Sequence, residues 1–356
     1  MTSDAHAVVR TGVIGLGYWG PNLARNLSEH GRSELTWLCD LDAEATLKMG
    51  ARYPTARTTT DVSQMLADPE LDAVAIVTPV STHHALAAAA LAAGKHVFIE
   101  KPLAASSAEA LDLMRRADQA GLVLFPGHTF LYSPPVVKIK EVLDAGDLGE
   151  IYFISMSRVN LGLHQHDVSV IWDLGPHDFS ILRYWFGELP SEFSAVTRSC
   201  IIPNIPDVAF INMTFATGTI AHLELSWLAP SKLRRTAIVG SKRMLVYDDV
   251  STEPIRIFDS GASIPDPETF GEFRLSYRTG DIVSPHIEAT EPLALEVGDF
   301  CAAILDHVEP RSSAQIGLDV IRAIEAVSES LEKNGAAVAV DRRAVGAAPG
   351  IVDQAA

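Results

Sequence analysis

The sequence is poor in cysteine, in aromatic residues and in positive charge. Its 356 residues include three cysteines and 7% aromatic residues, and 28 Lys and Arg stand against 45 Asp and Glu, for a formal net charge of -17. Cys39, Cys200 and Cys301 are odd in number and widely spaced, which favours neither a disulfide framework nor a metal site, so we expect a reducing cytoplasm. The excess of acid argues against nucleic acid as a partner, because phosphate backbones are bound by clustered Lys and Arg. A small anionic substrate is not excluded, since it needs only a few local cations.

Long apolar runs are also missing. The most apolar stretch, ALAAAALAAG at residues 85–94, is too short to span a bilayer, and the start, MTSDAHAVVR, lacks the apolar core of a signal peptide. We therefore expect a soluble protein with no membrane partner. With 47% apolar residues over this length, a two-domain α/β enzyme is the class that the composition favours.

Short apolar strands and helices alternate through the first third of the chain. Strands of this kind, separated by helices, predict right-handed crossovers and a parallel sheet with helices on both faces. We therefore expect a doubly wound α/β domain over residues 1–126. The predicted strands are residues 8–14, 35–39, 73–77, 97–99 and 122–125, and the predicted helices are residues 21–29, 43–52, 62–66, 84–93 and 108–120.

The pattern changes after Pro126, where longer strands with partial alternation predict a large, mostly antiparallel open sheet. We expect an α+β domain over residues 127–343 and a flexible tail over residues 344–356. The predicted strands are residues 151–159, 192–198, 208–215, 219–227, 235–239 and 244–248, and the predicted helices are residues 136–145, 177–186, 292–306 and 315–333. Residues 260–281 are rich in Gly, Pro, Ser and charge, which predicts a loop.

A glycine-rich turn joins the first strand to the first helix. In Gly15-Leu16-Gly17-Tyr18-Trp19-Gly20 the glycines permit a tight turn and close approach to a pyrophosphate, which the helix N-terminus attracts. Asp40 ends the second strand twenty residues later, where an acid binds the adenosine ribose hydroxyls. The Asp40 carboxylate repels a 2′-phosphate, and position 41 holds a leucine where an arginine would bind that phosphate, so the pattern favours NAD over NADP. Arg32 and Arg57 are the basic residues that could bind the phosphate instead, so NADP is not excluded.

A second pattern, Glu100-Lys101-Pro102, follows the fourth predicted strand. The carboxyl end of such a strand lies at the edge where doubly wound sheets bind ligands. A lysine there can donate a hydrogen bond to a substrate oxygen or exchange a proton, and a cis proline would turn both charged side chains inward. Taken alone, the three residues fit a surface ion pair in a turn better than a catalytic site.

The segment Trp172-Asp173-Leu174-Gly175-Pro176-His177-Asp178 strengthens the catalytic interpretation. Its Asp173 and His177 lie four residues apart, close enough to face one cavity, and an aspartate that orients a histidine makes a proton-transfer pair. Pro176 is expected in the first helical turn, so that Asp173 precedes the helix. The alternatives are a helix N-cap for Asp173 and a core position for His177.

Together these segments resemble the Gfo/Idh/MocA oxidoreductases, named for glucose–fructose oxidoreductase and inositol dehydrogenase. The resemblance covers nearly the whole chain. It rests on GLGYWG, Asp40, TPVSTHH (residues 78–84), GKHVFIEKPLA, GDLGEI (residues 146–151), WDLGPHD and EPLALEVGDF (residues 291–300).

The resemblance implies an N-terminal Rossmann domain, an α+β domain whose open sheet builds homodimers or homotetramers, and roles for matching residues. Lys101 contacts the reacting hydroxyl, and His177 is the general acid/base that Asp173 steadies, although the family varies in whether Lys or His takes the proton. The matching positions around the cofactor are Thr78, Pro79, His83, Glu100, Lys101 and Trp172. No metal is implied, because the lysine supplies positive charge beside the developing oxyanion. The segment at residues 164–167, His-Gln-His-Asp, is interpreted as a polar loop over the site, with Gln165 or His166 touching ligand.

The substrate class implied by the resemblance is a sugar. The WDLGPHD form, with Arg158 and Asn160 before it and SYRTGD (residues 276–281) after it, looks like the branch acting on nucleotide-linked sugars in amino- or deoxy-sugar biosynthesis. Arg158 and Asn160 end a strand directed at the cavity and are candidate ligands for sugar or diphosphate oxygens. His128 is a further candidate on the substrate side. A basic cluster, Lys232, Arg234 and Arg235, fits a diphosphate, a subunit contact or a solvated face.

Two other functions stay open. One is an inositol or free-sugar dehydrogenase, which would turn over free polyols. The other is a non-catalytic NAD-binding regulator, which the retention of Lys101, Asp173 and His177 disfavours.

Overall fold

The computed structural model describes residues 8–162, 164, 168–263 and 276–340. Its first sheet has six parallel strands in the order β3-β2-β1-β4-β5-β6, as a doubly wound sheet requires. The strands are β1 (Val9–Ile14), β2 (Ser33–Cys39), β3 (Arg57–Thr59), β4 (Ala73–Ile76), β5 (His96–Glu100) and β6 (Leu124–Gly127). The helices between them are α1 (Gly20–Glu29), α2 (Ala43–Arg52), α3 (Val62–Leu66), α4 (His83–Ala92) and α5 (Ser107–Ala120), with a short 3-10 helix at Val80–Thr82.

Local sequence explains these elements well. All four residues of β4 are buried, as expected for a strand covered by helices on both faces. Asp42, Asp61 and Ser106 cap α2, α3 and α5 with side chains that accept backbone N–H groups, and Gly121 ends α5 in the left-handed conformation. The sequence analysis missed β3, whose first two residues are exposed and which has no apolar run.

The second sheet has nine strands in the order β14-β13-β12-β11-β7-β10-β9-β8-β15. Every neighbouring pair is antiparallel except β7 and β10, so the predicted open, mostly antiparallel sheet is confirmed. The strands are β7 (Ile151–Leu161), β8 (Glu192–Arg198), β9 (Val208–Thr214), β10 (Ile220–Ser226), β11 (Leu228–Gly240), β12 (Met244–Asp248), β13 (Ile255–Ser263), β14 (Ser276–Val283) and β15 (Val338–Ala339). The helices of this part are α6 (Pro134–Asp144), α7 (Val170–Phe186), α8 (Pro292–Leu305) and α9 (Ala314–Glu332), with a 3-10 helix at Thr129–Tyr132.

Two sequence expectations are wrong here. The loop predicted over residues 260–281 is entered from both sides by β13 and β14, which pair with each other. All eight residues of β14 are exposed, so the strand carries no apolar alternation by which the sequence could reveal it. The helix predicted from residue 177 begins at Val170 instead. The expected contacts of Gln165 and His166 and the tail at residues 344–356 lie outside the described residues, and the domain boundaries at 126 and 343 stay predictions.

Helices α8 and α9 pack back against the first sheet. Phe300 of α8 makes edge contacts with the rings of Phe98 and Phe125, at centroid distances of 5.7 and 5.5 Å. Leu318 and Ile321 of α9 belong to the same buried cluster as β4 and β5. The two sheets are therefore joined through a shared core as well as through the chain connection at residue 127. Among the described residues, no helix has the length and apolarity that crossing a bilayer requires.

Candidate functional site

The glycine-rich turn between β1 and α1 has the backbone that its sequence predicts. Gly15 has a φ of 96°, and a Cβ atom there would lie 2.5 Å from the carbonyl oxygen of Val77. A Cβ at Gly20 would collide with the carbonyl oxygen of Gly15, so α1 starts too close to the turn for any side chain. Apart from Gly17 and its chain neighbours, no atom of the described residues lies within 4 Å of the Cβ position of Gly17. This open glycine beside a helix N-terminus fits a bound pyrophosphate.

Asp40 lies beside this turn, as expected. One carboxylate oxygen accepts the N–H of Leu16 at 2.6 Å, and the other accepts the N–H of Asp42 at 2.9 Å. Leu41 is 93% exposed and Tyr18 is 92% exposed, so the rim of the site is open. The turn, the helix N-terminus and the carboxylate together fit the pyrophosphate and ribose of a dinucleotide.

The loop after β4 contains Thr78 and Pro79, and His83 is the first residue of α4. The Thr78 hydroxyl lies 2.7 Å from that of Thr82, at the protein surface. His83 is buried, and its ring nitrogens lie 2.8 Å from the carbonyl oxygen of Thr78 and 2.9 Å from that of Pro102. Burial lowers the pKa of His83, despite these two carbonyls. The histidine thus ties the Thr78 loop to the loop that follows β5, and a direct contact with the cofactor stays a prediction.

Lys101 and Asp173 meet at the carboxyl edge of the first sheet. The Lys101–Pro102 peptide bond is cis, as anticipated. The lysine Nζ donates to the carbonyl oxygen of Asp173 at 2.9 Å and lies 3.4 Å from its Oδ1. The two side chains remain 20% and 26% exposed, so the ion pair is open to a ligand. The structure therefore brings together two predicted site residues that are 72 positions apart in the sequence.

The surroundings of Asp173 differ from the expected ones. Because α7 begins at Val170, Asp173 lies in its first turn, and Pro176 lies inside the helix. The second carboxylate oxygen of Asp173 accepts the indole N–H of Trp227 at 3.1 Å. Trp227 is 1% exposed and directly follows β10, and no spacing in the sequence links it to Asp173. Both oxygens of Asp173 thus have donors other than His177, whose steadying by Asp173 stays a prediction.

His177 lies on the same helix, edge-on to Phe130 with 4.8 Å between ring centroids. Burial lowers the pKa of His177 well below its ordinary value, and the positive charges of Lys101, Arg158 and Arg234 lower it further. Its Nδ1 is shielded from solvent and has no hydrogen-bond partner in the described part of the chain. The lowered pKa favours the neutral imidazole, one of whose ring nitrogens carries a free lone pair that can accept a hydrogen bond or a proton.

Three further predicted residues lie near Lys101 or next to Asp173 in the chain. His128 is buried, and burial together with the charge of Lys101 lowers its pKa to about 3. Glu100 ends β5, and burial raises its pKa to about 7, although the charge of Lys101 opposes this rise. Trp172 is partly buried and packs against the core clusters on both sides of α7. Contacts of His128 with substrate, and of Glu100 and Trp172 with cofactor, stay predictions.

Arg158 is placed differently from a free ligand-binding arginine. Its guanidinium forms a two-point ion pair with Asp178 at 2.6 and 3.0 Å, and the side chains are only 6% and 5% exposed. It also stacks over Phe130 at 4.5 Å, while Arg234 approaches the same ring at 5.5 Å. Its Nη1 alone has no hydrogen-bond partner among the described residues. Asn160, two residues along β7, is partly buried near Trp227. The sequence analysis missed Phe130 and Asp178, which connect Arg158 to His177.

Comparison with known proteins agrees with this architecture. A family profile described as an oxidoreductase family with an NAD-binding Rossmann fold matches residues 9–128, and the profile of the GFO/IDH/MocA C-terminal domain matches residues 136–246. The crystal structure of GenD2 from gentamicin A biosynthesis in complex with NAD has the same fold, with a TM-score of 0.80 over 96% of this chain and 99% of that chain at 24% identity.

Two characterised relatives differ in substrate. The UDP-N-acetylglucosamine 3-dehydrogenase of Acidithiobacillus ferrooxidans is 31% identical over 84% of this chain and 90% of its own length. The myo-inositol 2-dehydrogenase of Thermotoga maritima is 26% identical over 70% of this chain and 78% of its own length. Both are similar to this chain over most of their length. The family profiles and the first relative confirm the resemblance and the NAD cofactor, and the chain belongs to the Gfo/Idh/MocA family of NAD-binding oxidoreductases.

Proposed function

We propose that the protein is an NAD-dependent dehydrogenase or ketoreductase that acts on a secondary alcohol or ketone carbon of a nucleotide-linked sugar. The observation that carries this proposal is the pairing of a partly exposed Lys101–Asp173 ion pair with a neutral His177 at the carboxyl edge of the first sheet. When bound, NAD supplies the hydride acceptor, and the chain must handle the proton and the oxygen.

Lys101 acts on the substrate oxygen and His177 on the proton. The Lys101 ammonium donates a hydrogen bond to the substrate oxygen, and its charge stabilises the oxygen as negative charge develops there. Neutral His177 accepts the hydroxyl proton, and in the reverse direction its protonated form returns the proton to the carbonyl oxygen. The Asp173 carboxylate fixes Lys101 through the 3.4 Å contact, and Trp227 fixes Asp173 in turn.

Two observations support a nucleotide-linked sugar. The relative from Acidithiobacillus ferrooxidans that matches 84% of this chain acts on UDP-N-acetylglucosamine, as its name states. The second is the partly exposed Arg234, which lies over the Phe130 ring beside His177 and pairs with Asp249 at 3.1 Å, whereas the guanidinium of Arg158 is taken up by Asp178. A diphosphate needs cations at this end of the site, and a free polyol does not. The runner-up is an inositol or free-sugar dehydrogenase, which the relative from Thermotoga maritima supports.

The test is NADH formation from NAD with a panel of nucleotide sugars, sugar phosphates and free polyols, and NADH oxidation with matching keto-sugars. We expect turnover of a nucleotide sugar by the wild type and a loss of roughly 100-fold or more in kcat for Lys101→Ala, because positioned proton-handling groups contribute on the order of 100- to 10,000-fold. Lys138→Ala is the matched control, because Lys138 is a surface lysine that pairs with Glu141 on α6. Equal turnover of a free polyol and of any nucleotide sugar would contradict the proposed substrate.

We also propose that a second copy of the chain covers the outer face of the second sheet. Phe153 lies opposite Ile220, and Val196 lies opposite Phe210, on neighbouring strands. These four side chains are 40% to 58% exposed, which is unusual for adjacent large apolar groups on one face. Light scattering should show a dimer or tetramer for the wild type and smaller species for Phe210→Lys, whereas Tyr277→Lys, on the exposed strand β14, should keep the wild-type mass. A monomeric wild type would contradict the assembly.

A further inference from the structure

His177 is the proposed proton acceptor, and one of its ring nitrogens has nothing to fix it. Its Nδ1 is shielded from solvent and has no hydrogen-bond partner among the described residues. Asp173, four residues earlier on α7, has other donors, since its Oδ1 lies 3.4 Å from Lys101 Nζ and its Oδ2 accepts the indole N–H of Trp227 at 3.1 Å. A histidine that exchanges protons is ordinarily held by a hydrogen bond at its second ring nitrogen. Packing, rather than such a bond at Nδ1, must therefore hold this ring.

The ring of Phe130 makes that packing contact. Its centroid lies 4.8 Å from the centroid of the His177 imidazole, and the two ring planes meet at 64°, an edge-to-face arrangement that is favourable for aromatic rings. Phe130 is partly buried and packs against the core. It lies on the 3-10 helix at Thr129–Tyr132, whereas His177 lies on α7. The contact therefore gives the imidazole a wall that belongs to another element of the fold.

Two guanidinium groups hold the Phe130 ring in turn. The Cζ atom of Arg158 lies 4.5 Å from the ring centroid and that of Arg234 lies 5.5 Å from it, distances at which a ring attracts a cation. Arg158 is itself fixed by two hydrogen bonds to Asp178, which follows His177 in α7. The helix is therefore held against Phe130 in two ways, directly through His177 and indirectly through Arg158.

The backbone that carries Phe130 is anchored on both sides by α8. Thr129 donates its hydroxyl to Glu296 Oε2 at 2.7 Å. The Tyr132 hydroxyl donates to Asp299 Oδ2 at 2.6 Å. Tyr132 is 2% exposed and Glu296 is fully buried, so water does not compete for these bonds. The aromatic ring thus extends from a fixed backbone to a fixed partner.

We propose that Phe130 is a positioning residue that orients the His177 imidazole toward the substrate, a task that a carboxylate usually performs for a catalytic histidine. The role acts through His177 and rests on the proposed function, whereas the packing of the two rings does not. Without the aromatic ring the imidazole is free to turn about its side-chain bonds, and it faces the substrate hydroxyl for a smaller part of the time. The kcat should therefore respond to the side chain at position 130, and the KM for NAD should not.

Turnover of the substrate found above tests the positioning role. We expect Phe130→Leu to lose on the order of 10- to 100-fold in kcat with little change in the KM for NAD, because a displacement of ~1 Å costs about 100-fold. Phe130→Tyr keeps the ring and should keep most of the wild-type kcat. Tyr152→Leu, which removes an exposed ring on β7, is the control and should follow the wild type. Equal kcat in Phe130→Leu and Phe130→Tyr would overturn the role, and Phe130→Met replaces Phe130→Leu if the latter does not fold.

The ring contact is tested without any substrate, by the rate at which diethyl pyrocarbonate modifies His177 at pH 7, followed by mass spectrometry of the peptide. The reagent attacks an unprotonated imidazole nitrogen, and the Phe130 ring covers one side of this imidazole. We expect modification to be several-fold faster in Phe130→Leu than in the wild type and in Phe130→Tyr, with the exposed His286 as the internal reference. Equal rates in the three proteins would overturn the contact.

The two experiments separate this inference from the proposed function. If the wild type turns over no compound of the panel, the proposed function fails and the positioning role falls with it. The rate of modification still decides whether Phe130 holds the His177 ring.

Discussion

The ion pair between Arg158 and Asp178 permits the most quantitative prediction. Both side chains are at least 94% buried and joined by two hydrogen bonds, so neither charge has water to replace its partner. Removing one partner of such a pair costs about 3–5 kcal/mol of the free energy of unfolding, because the remaining charge is left buried and unpaired. Asp178→Asn should therefore fall in this range.

Arg158→Met should cost a similar amount. It leaves the Asp178 carboxylate unpaired and also removes the cation over the Phe130 ring, a contact worth ~0.5–2 kcal/mol. The double variant Arg158→Met/Asp178→Leu leaves no buried charge at the pair. Its cost should be smaller than the sum of the two single costs by at least ~2 kcal/mol, since well-packed apolar replacements of buried ion pairs are often nearly neutral.

Urea unfolding followed by tryptophan fluorescence measures all three variants against the wild type. A cost below about 1 kcal/mol for Asp178→Asn, or strictly additive costs in the double variant, would refute the reasoning, because exposed pairs behave in that way. Steady-state kinetics separate a structural role of Arg158 from a role in binding the substrate. A raised KM for the sugar in Arg158→Met, with unchanged stability, would instead establish Arg158 as the substrate ligand that the sequence predicted.

Two further predictions concern the cofactor and pH. Replacing Asp40 by Ala together with Leu41 by Arg removes the carboxylate that repels a 2′-phosphate. The ratio of kcat/KM for NADP to kcat/KM for NAD should therefore rise by roughly tenfold or more, equivalent to ~1.4 kcal/mol. An unchanged ratio would mean that Asp40 does not select the cofactor. His128 has a pKa of about 3 in the folded protein against 6.5 ordinarily, so the unfolded state takes up a proton first as pH falls. The wild type should lose about 2 kcal/mol of stability between pH 6.5 and about pH 5 through this residue, and His128→Asn should abolish that part of the loss in urea titrations at both pH values.

Local signals in the sequence were sufficient for the first half of the fold, with the exception of β3. The predicted bounds of α2 and α3 agree with the structure because Asp42 and Asp61 mark their starts. The same reasoning failed at α7, where Pro176 was interpreted as a first-turn proline. The helix continues through this residue for seventeen residues in all, and ten of them are buried. Packing of that face against α9, α6 and β10 outweighs the loss of one backbone N–H.

From the sequence, only those site residues that lie in short contiguous motifs could be predicted. Lys101, Asp173 and His177 lie in motifs whose residues are adjacent in the chain, and the family resemblance connects those motifs. Trp227, which directly follows β10, contacts Asp173 only after the second sheet has formed. Nothing in a single sequence identifies a tryptophan after a strand as the partner of an aspartate 54 residues earlier.

The return of α8 and α9 to the first sheet has a consequence for how the polypeptide is made. Phe98 and Phe125 emerge from the ribosome early, but Phe300, which covers them, is synthesised about 175 residues later at ~5–20 residues per second. Leu318 and Ile321, which complete the core on the other face, come later still. During synthesis the N-terminal half therefore exposes apolar surface until α8 and α9 have been made. A fragment that ends after β6 is expected to need a chaperone or to aggregate.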